Sequence, residues 1–147
     1  MTELRMFTIG FTHKSAAEFF ETLRKAGVKR VVDIRLNNTS QLAGFAKKDD
    51  LAYFLRGLAG IDYLHLPELA PSEELLDAFK KQKGPWDAFE RGFLALLKSR
   101  KVEAKLARET FADACLLCSE PTPDHCHRRL VAEHLASRWN SVEIVHL

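Results

Sequence analysis

The side chains best suited to chemistry lie in one short segment, from Cys115 to Arg129. This segment contains all three cysteines of the chain, two of its six histidines, acidic residues and a pair of arginines. Thiols, imidazoles and guanidinium groups act as nucleophiles, metal ligands and anion-binding groups. If the protein catalyses a reaction, this segment is where the sequence predicts it.

A helix start is predicted just before Cys126. Thr122 fits the N-cap position and Pro123 the first helical position, so we expect a helix from about Pro123 to Trp139. Cys126 would lie in the first turn, where the helix macrodipole favours a thiolate and lowers the pKa of the thiol. The N–H groups of that turn would also bind an anion. The alternative is a cysteine that packs as a small hydrophobic side chain.

The residues after Cys126 carry charge that favours the same chemistry. Arg128 is predicted to bind an anion, and His127, if protonated, would help Arg128 to stabilise a thiolate. His127 fits a ligand-orienting role and a structural hydrogen bond equally well. His134 follows seven residues later on the same helix face and is predicted to be a histidine of the core boundary.

A strand over residues 114–118 would separate the other two cysteines, because side chains alternate between the faces of a strand. Cys118 and Glu120 would share one face at the strand end, so both are candidate site residues. Cys115 would point to the other face and belong to the core. Glu120 would be a general base or, in the interpretation we favour, the structural partner of an arginine such as Arg128.

The spacing of the cysteines also resembles a zinc site, since Cys-x2-Cys is followed by Cys-His. Two points oppose zinc. Cys115 and Cys118 would lie about 10 Å apart on opposite faces of a strand, and Cys126 and His127 would diverge by about 100° around a helix. We therefore predict no metal ligands. A redox pair of Cys118 and Cys126 is a further alternative, because both are expected at the same edge.

The elements that position this segment alternate between apolar runs and helical patterns. Strands are predicted at residues 6–10, 30–36, 62–66, 114–118 and 142–146, and helices at about 15–27, 49–60, 72–81, 85–100 and 123–139. The order predicts a single α/β domain over residues 1–147. It would be an open, Rossmann-like, parallel or mostly parallel five-stranded sheet with helices on both faces.

Ligands of open parallel sheets bind at the carboxyl ends of the strands. This rule places Gly10, Asp33, Arg35 and Cys118 at the same edge as Cys126. Asp33 and Arg35 point to the same side of their strand, where they would pair with each other or bind a ligand. Gly10 would let the backbone approach that ligand closely.

Composition narrows the class of protein. The chain of 147 residues is 46% hydrophobic and 29% charged, which is typical of globular domains. It lacks an apolar run long enough for a membrane span, and its first residues do not resemble a signal peptide. An odd number of clustered cysteines favours reduced thiols and a cytoplasmic location. The net charge of +2 only weakly favours nucleic acid as a partner.

Several short motifs, taken in order, resemble those of the DUF488 family over essentially the whole chain. They are Thr8-Ile-Gly10, Asp33-Ile-Arg35, Tyr63-Leu-His-Leu-Pro-Glu68, Leu117-Cys-Ser-Glu120 and Cys126-His-Arg128. Relatives often continue the first motif as Gly-His-Ser, whereas this chain has Gly10-Phe11-Thr12. Cys115 falls where relatives commonly carry an aliphatic residue. The resemblance implies the fold and a site of Asp33, Arg35, Cys118, Glu120, Cys126, His127 and Arg128. It implies no reaction, because the function of the family is uncharacterised.

We therefore predict a cytoplasmic protein that binds a small anionic ligand, similar to a phosphate or a nucleotide. Arg35 and Arg128 would bind the anion, a site thiol would act as thiolate, and His127 or Glu120 would transfer protons. An enzyme of this kind would be a cysteine-dependent hydrolase or transferase. The alternatives are a nucleic-acid-binding protein and a metal-binding or thiol redox switch without turnover. The sequence specifies neither a cofactor nor an oligomeric state.

Overall fold

The computed structural model describes residues 3–37, 44–118 and 126–147 and contains a five-stranded, all-parallel open sheet. The strands are β1 (Leu4–Gly10), β2 (Arg30–Asp33), β3 (Asp62–His65), β4 (Ala114–Cys118) and β5 (Val142–His146), in the spatial order β3-β2-β4-β1-β5. The helices are α1 (Ala16–Ala26), α2 (Lys48–Phe54), α3 (Glu73–Lys80), α4 (Trp86–Arg100), α5 (Val102–Lys105) and α6 (His127–Arg138). A π-helical turn at Leu55–Ala59 extends α2, and short 3₁₀ helices lie at Gly44–Ala46, Pro67–Leu69 and Arg108–Phe111.

Helices cover both faces of the sheet, as predicted. Alternate residues of β4 enter two different cores, because side chains of a strand alternate in direction. Cys115 and Leu117 pack on the side of α1 and α2, whereas Ala114 and Leu116 pack on the side of α4 and α6. The centre of the sheet is therefore buried on both faces, which explains the continuous apolar stretches of β2 and β4.

The topology creates a crevice at the carboxyl ends of β2 and β4, which are neighbours in the sheet. The chain leaves β2 towards β3 at one edge of the sheet, and it leaves β4 towards β5 at the other edge. Connections that diverge from adjacent strands open a cleft between them, and such clefts are the usual ligand sites of this fold class. The segment singled out in the sequence ends β4 and begins α6, so it borders this crevice.

Local signals placed the first helix correctly. The Ser15 hydroxyl accepts a hydrogen bond from the Glu18 N–H at 3.1 Å, and Gly27 ends α1 in a left-handed conformation with φ 80°. The second strand is shorter than predicted and ends at Asp33. The Asp33 carboxylate accepts a hydrogen bond from the backbone N–H of Arg35 at 3.1 Å, which turns the chain out of the strand.

The predicted start of the last helix is wrong. Cys126 precedes α6 with extended backbone angles, φ −133° and ψ 139°, and the helix begins at His127. The proposed cap at Thr122 lies outside the described residues. None of the helices in the described ranges has the length and apolar character needed to cross a membrane.

Candidate functional site

A disulfide bond between Cys118 and Cys126 lies at the centre of the crevice. Cys118 is the last residue of β4 and Cys126 the residue before α6, and their Cα atoms are 7.3 Å apart. The expectation that all cysteines are reduced is wrong for this pair, because both reach the same sheet edge. Cys115 is free and fully buried on the other face, where burial raises the pKa of its thiol. It is a core residue, as predicted.

Arg128 is a buried hydrogen-bond donor to the sulfur of Cys118. Its Nη1 donates to Cys118 Sγ at 3.3 Å and its Nε donates to Thr8 Oγ1 at 3.3 Å, and the whole side chain is buried. A guanidinium at this distance stabilises a thiolate on Cys118 after reduction. Cys126 is next to the N-terminus of α6, whose dipole acts on its sulfur in the same direction.

His127 is a neutral, fixed side chain of the site. Its Nε2 donates to the backbone carbonyl of Ile34 at 2.7 Å, since a carbonyl only accepts. Its ring packs nearly perpendicular to the Phe93 ring, with centroids 5.6 Å apart. Burial lowers the pKa of His127 to about 4. His127 is therefore neutral at neutral pH in the oxidised protein. The predicted role of a protonated His127 beside a thiolate stays a prediction. The Nδ1 atom keeps its lone pair in this tautomer.

Asp33 and Arg35 form the buried pair that the sequence predicted. Arg35 donates from Nε and Nη2 to the two carboxylate oxygens, each at 2.8 Å, and Tyr63 donates its hydroxyl to the same carboxylate. Burial alone would raise the pKa of Asp33, but these hydrogen bonds and the charge of Arg35 hold it below its usual value. The third guanidinium nitrogen of Arg35, Nη1, has no hydrogen-bond partner among the described residues.

A cavity of about 340 Å³ opens beside the disulfide and Arg35. Its described wall contains three cations and one acid, Arg35, Lys80, Lys81 and Asp77. The Asp33 carboxylate pairs with Arg35 behind the wall, so these five residues together carry a net formal charge of +1. Leucine and aromatic side chains form most of the remaining wall, and Cys118, Cys126 and His127 complete it. The cavity therefore joins a positively charged, partly apolar binding surface to both sulfur atoms.

Other predicted residues lie around this cavity rather than in its wall. Gly10 pairs with Cys118 in the β1–β4 register and is buried, and Arg128 lies behind the sulfurs. Glu120 lies outside the described residues. The roles predicted for these residues in ligand binding and proton transfer stay predictions. His134 is almost buried, 3.4 Å from a Glu103 carboxylate oxygen, as expected of a boundary histidine.

The sequence did not identify the helical wall of the cavity. Phe79 and Lys80 of α3 and Trp86 of α4 line it, and the Trp86 ring stacks on Phe89 with centroids 5.1 Å apart. The available signal was the adjacent pair Lys80–Lys81 in the connection between β3 and β4. That connection must cover the face of the sheet that α6 also covers, so its cations were candidates for the crevice.

One of the two arguments against a metal also fails in the structure. Cys118 Sγ, Cys126 Sγ and a ring nitrogen of His127 all lie within 4.8 Å of one another. Cys126 and His127 do not diverge as two helical residues would, because Cys126 is in the extended segment before α6. The other argument holds, since Cys115 faces the opposite core.

The domain of unknown function DUF488 matches residues 15–135 of the chain. The match covers well over half of the chain, so the protein belongs to the DUF488 family. The Thr8-Ile-Gly10 motif lies before the matched range. No curated protein and no solved structure matches the chain.

Proposed function

We propose that this DUF488 protein is a thiol–disulfide oxidoreductase that exchanges electrons with small anionic thiols through Cys118 and Cys126. The observation that supports this function best is that the disulfide forms part of the wall of a positively charged cavity. Cys118 and Cys126 are 0% and 2% exposed, so a small thiol would have to approach the sulfurs from this cavity. A cytoplasmic location would supply the thiols that reduce it.

The lining of the cavity favours an anion that also carries apolar groups. The net charge of +1 favours a carboxylate or phosphate, and the Nη1 group of Arg35 offers a hydrogen-bond donor that no described residue accepts. Phe79 and Trp86 supply apolar surface to the same cavity. This proposal refines the small anionic ligand predicted from the sequence and adds the chemistry that its thiols would perform.

The two sulfurs differ in ways that predict which one is attacked. Arg128 places a full positive charge 3.3 Å from Cys118 Sγ, whereas the α6 dipole offers Cys126 only a partial charge, so Cys118 is the better leaving group. An incoming thiolate attacks Cys126 Sγ, forms a mixed disulfide there, and the electron pair of the broken bond moves to Cys118 as a thiolate. A second thiolate then attacks the substrate sulfur of the mixed disulfide and releases Cys126. Two thiols become one disulfide, the protein gains two electrons, and the two released thiolates equilibrate with solvent protons.

Three small thiols of similar size and different charge test this function. The oxidised protein is mixed with mercaptoacetate, 2-mercaptoethanol or cysteamine at low ionic strength, and alkylation followed by peptide mass spectrometry counts the free thiols of Cys118 and Cys126. Rate constants are divided by thiolate concentration. We expect the anionic thiol to react fastest and the cationic thiol slowest, with a spread of about tenfold from the charge of the cavity.

The same chain unfolded in urea is the control for intrinsic thiol reactivity, and the charge preference should shrink there. The mixed disulfide that accumulates should lie on Cys126. Equal or faster reduction by cysteamine in the folded protein would refute the proposal, as would a pair that none of the three thiols reduces.

A further inference from the structure

We propose that reduction of the disulfide creates a metal site in which Cys118, Cys126 and His127 bind a Zn²⁺ ion. This inference goes beyond thiol exchange, and it does not depend on which thiol reduces the protein. It would make the crevice a site with two exclusive states, one closed by a disulfide and one occupied by a metal.

The donor atoms are already gathered around one point. The two sulfurs and a ring nitrogen of His127 lie within 4.8 Å of one another. Ligands of tetrahedral zinc, at bond lengths of about 2.0–2.3 Å, lie about 3.4–3.8 Å apart. Cys118 ends the central strand β4, His127 is the first residue of α6 and Cys126 immediately precedes it, so the donors lie at the ends of two regular elements.

The surroundings orient the donors as a metal site requires. The Nε2–H of His127 donates to the Ile34 carbonyl at 2.7 Å, which fixes the ring and leaves Nδ1 with its lone pair. A backbone carbonyl on the second nitrogen is a usual partner of a zinc-binding histidine. Arg128 donates to Cys118 Sγ at 3.3 Å, and this bond stabilises the thiolate form that zinc requires.

Three protein ligands leave the fourth position of a tetrahedral ion open. Cys118, Cys126 and His127 all line the 340 Å³ cavity, so that position faces the cavity. Structural zinc sites are closed by four protein ligands, whereas catalytic ones keep one position for water or substrate. The cations Arg35 and Lys80 in the same wall would favour an anion as the fourth ligand.

Zinc binding would depend on the redox state of Cys118 and Cys126 and would release protons. The reduced pair releases two protons as two thiolates bind Zn²⁺, while the disulfide has no thiolate to offer. Zinc therefore competes with oxidation, and the oxidised protein should not bind metal at this site.

Titration of the wild-type chain with Co²⁺ and Zn²⁺ tests the inference. Protein reduced with a phosphine, which does not chelate the metal, should bind one ion per chain, with the thiolate-to-cobalt charge-transfer absorption of a tetrahedral site. Zn²⁺ should displace the Co²⁺ and should protect Cys118 and Cys126 from iodoacetamide. Oxidised wild-type protein should show neither effect. Absence of binding by the reduced protein, or equal binding by the oxidised one, would overturn the inference.

Variants identify the ligands. Cys118→Ser and Cys126→Ser should each abolish the charge-transfer band or reduce it to that of a single thiolate, and Cys115→Ala, the matched cysteine control, should bind like wild type. His127→Gln retains a donor for the Ile34 carbonyl and should weaken binding by more than about tenfold, the loss that even outer-shell changes cause. Circular dichroism reports whether each variant is folded. An unchanged affinity in folded Cys118→Ser protein would contradict the site, and the protection of wild-type thiols tests it without any substitution.

Discussion

At the scale of single residues, the crevice is organised by buried charge. Arg35 and Arg128 are 3% and 1% exposed. Arg35 donates to Asp33, the last residue of β2, and Arg128 donates to Cys118, the last residue of β4. Burial of a guanidinium is costly unless its partners satisfy it. Asp33 does so for Arg35, and the partners of Arg128 include a sulfur and a hydroxyl. Arg128 therefore acts on Cys118 directly, which makes it a residue of the thiol site rather than of the cavity wall.

Removal of the Asp33 charge should destabilise the protein strongly. Asp33→Asn leaves the Arg35 guanidinium buried opposite a neutral group, and we expect a loss of about 3 kcal/mol in the free energy of unfolding. Asp62→Asn is the matched control, because Asp62 is 64% exposed and its pair with Arg30 at 3.8 Å contributes less than about 1 kcal/mol. Urea unfolding followed by circular dichroism measures both. Similar losses in the two variants would contradict the buried ion pair.

His127 should make the stability of the oxidised protein depend on pH. Its pKa is about 4 in the folded chain and about 6.5 in the unfolded chain, so only the unfolded chain is protonated between these values. Stability is therefore complete above pH 6.5 and falls as the pH is lowered towards 4, by about 3 kcal/mol at most.

The variant His127→Gln retains a hydrogen-bond donor and removes the titration. Between pH 6.5 and 5, wild type should lose about 2 kcal/mol more than this variant in urea unfolding. Parallel pH profiles for the two proteins would show that His127 titrates normally.

At the scale of elements, the sequence predicted the structure best where local signals acted alone. The strands at Ala114–Cys118 and Val142–His146 have the predicted bounds, and α1 lies within its predicted range of 15–27. The predicted start of α6 was wrong because a local signal, the helix cap, opposed a longer-range interaction, the disulfide. A helix cap at Thr122 contributes about 1 kcal/mol, whereas a disulfide typically contributes 2–4 kcal/mol. Cys126, bonded to Cys118, has an extended backbone that the cap signal at Thr122 did not predict.

The end of α1 provides a prediction about backbone conformation. Gly27→Ala should destabilise the protein by about 1 kcal/mol, because Gly27 has the left-handed φ of 80°. An added methyl group meets no neighbour within 4 Å, so a steric clash would not contribute. Gly57→Ala is the control in the π-helical turn, where φ is not positive and the space is equally open. It should be neutral or stabilising by up to about 1 kcal/mol. Thermal unfolding measures the stability of both variants. Equal effects would show that the positive φ at Gly27 does not cause the loss of stability.

At the scale of the whole molecule, strand order determines which residues meet. The rule that ligands bind at diverging connections brought Asp33, Arg35, Cys118 and Cys126 to one edge before any distance was known. The rule did not predict the helical wall of the cavity. Lys80 and Trp86 come from the connection between β3 and β4, whose path over the sheet depends on packing between α3, α4 and α6. Periodicity predicts such helices but not where they meet.

Reduction should lower the stability of the whole domain. The disulfide closes a segment with a sequence separation of 8 residues, and opening such a loop costs about 2–3 kcal/mol by the entropy that the unfolded chain regains. Urea unfolding with and without a reductant should show this difference in wild type. The double variant Cys118→Ala/Cys126→Ala should be insensitive to reductant, and a wild type with the same insensitivity would exclude the bond in solution.

The central claim is that the crevice exchanges disulfides with anionic thiols, and a comparison of two lysine variants tests it most directly. The ratio of the rate constants for mercaptoacetate and cysteamine is measured in wild type, in Lys80→Gln, which changes the cavity wall, and in Lys98→Gln, which changes an exposed position of α4. We predict that Lys80→Gln lowers the ratio by about two- to fivefold, that added salt lowers the ratio of wild type, and that Lys98→Gln leaves it unchanged. A wild-type ratio at or below one, or equal ratios in the two variants, would contradict the account.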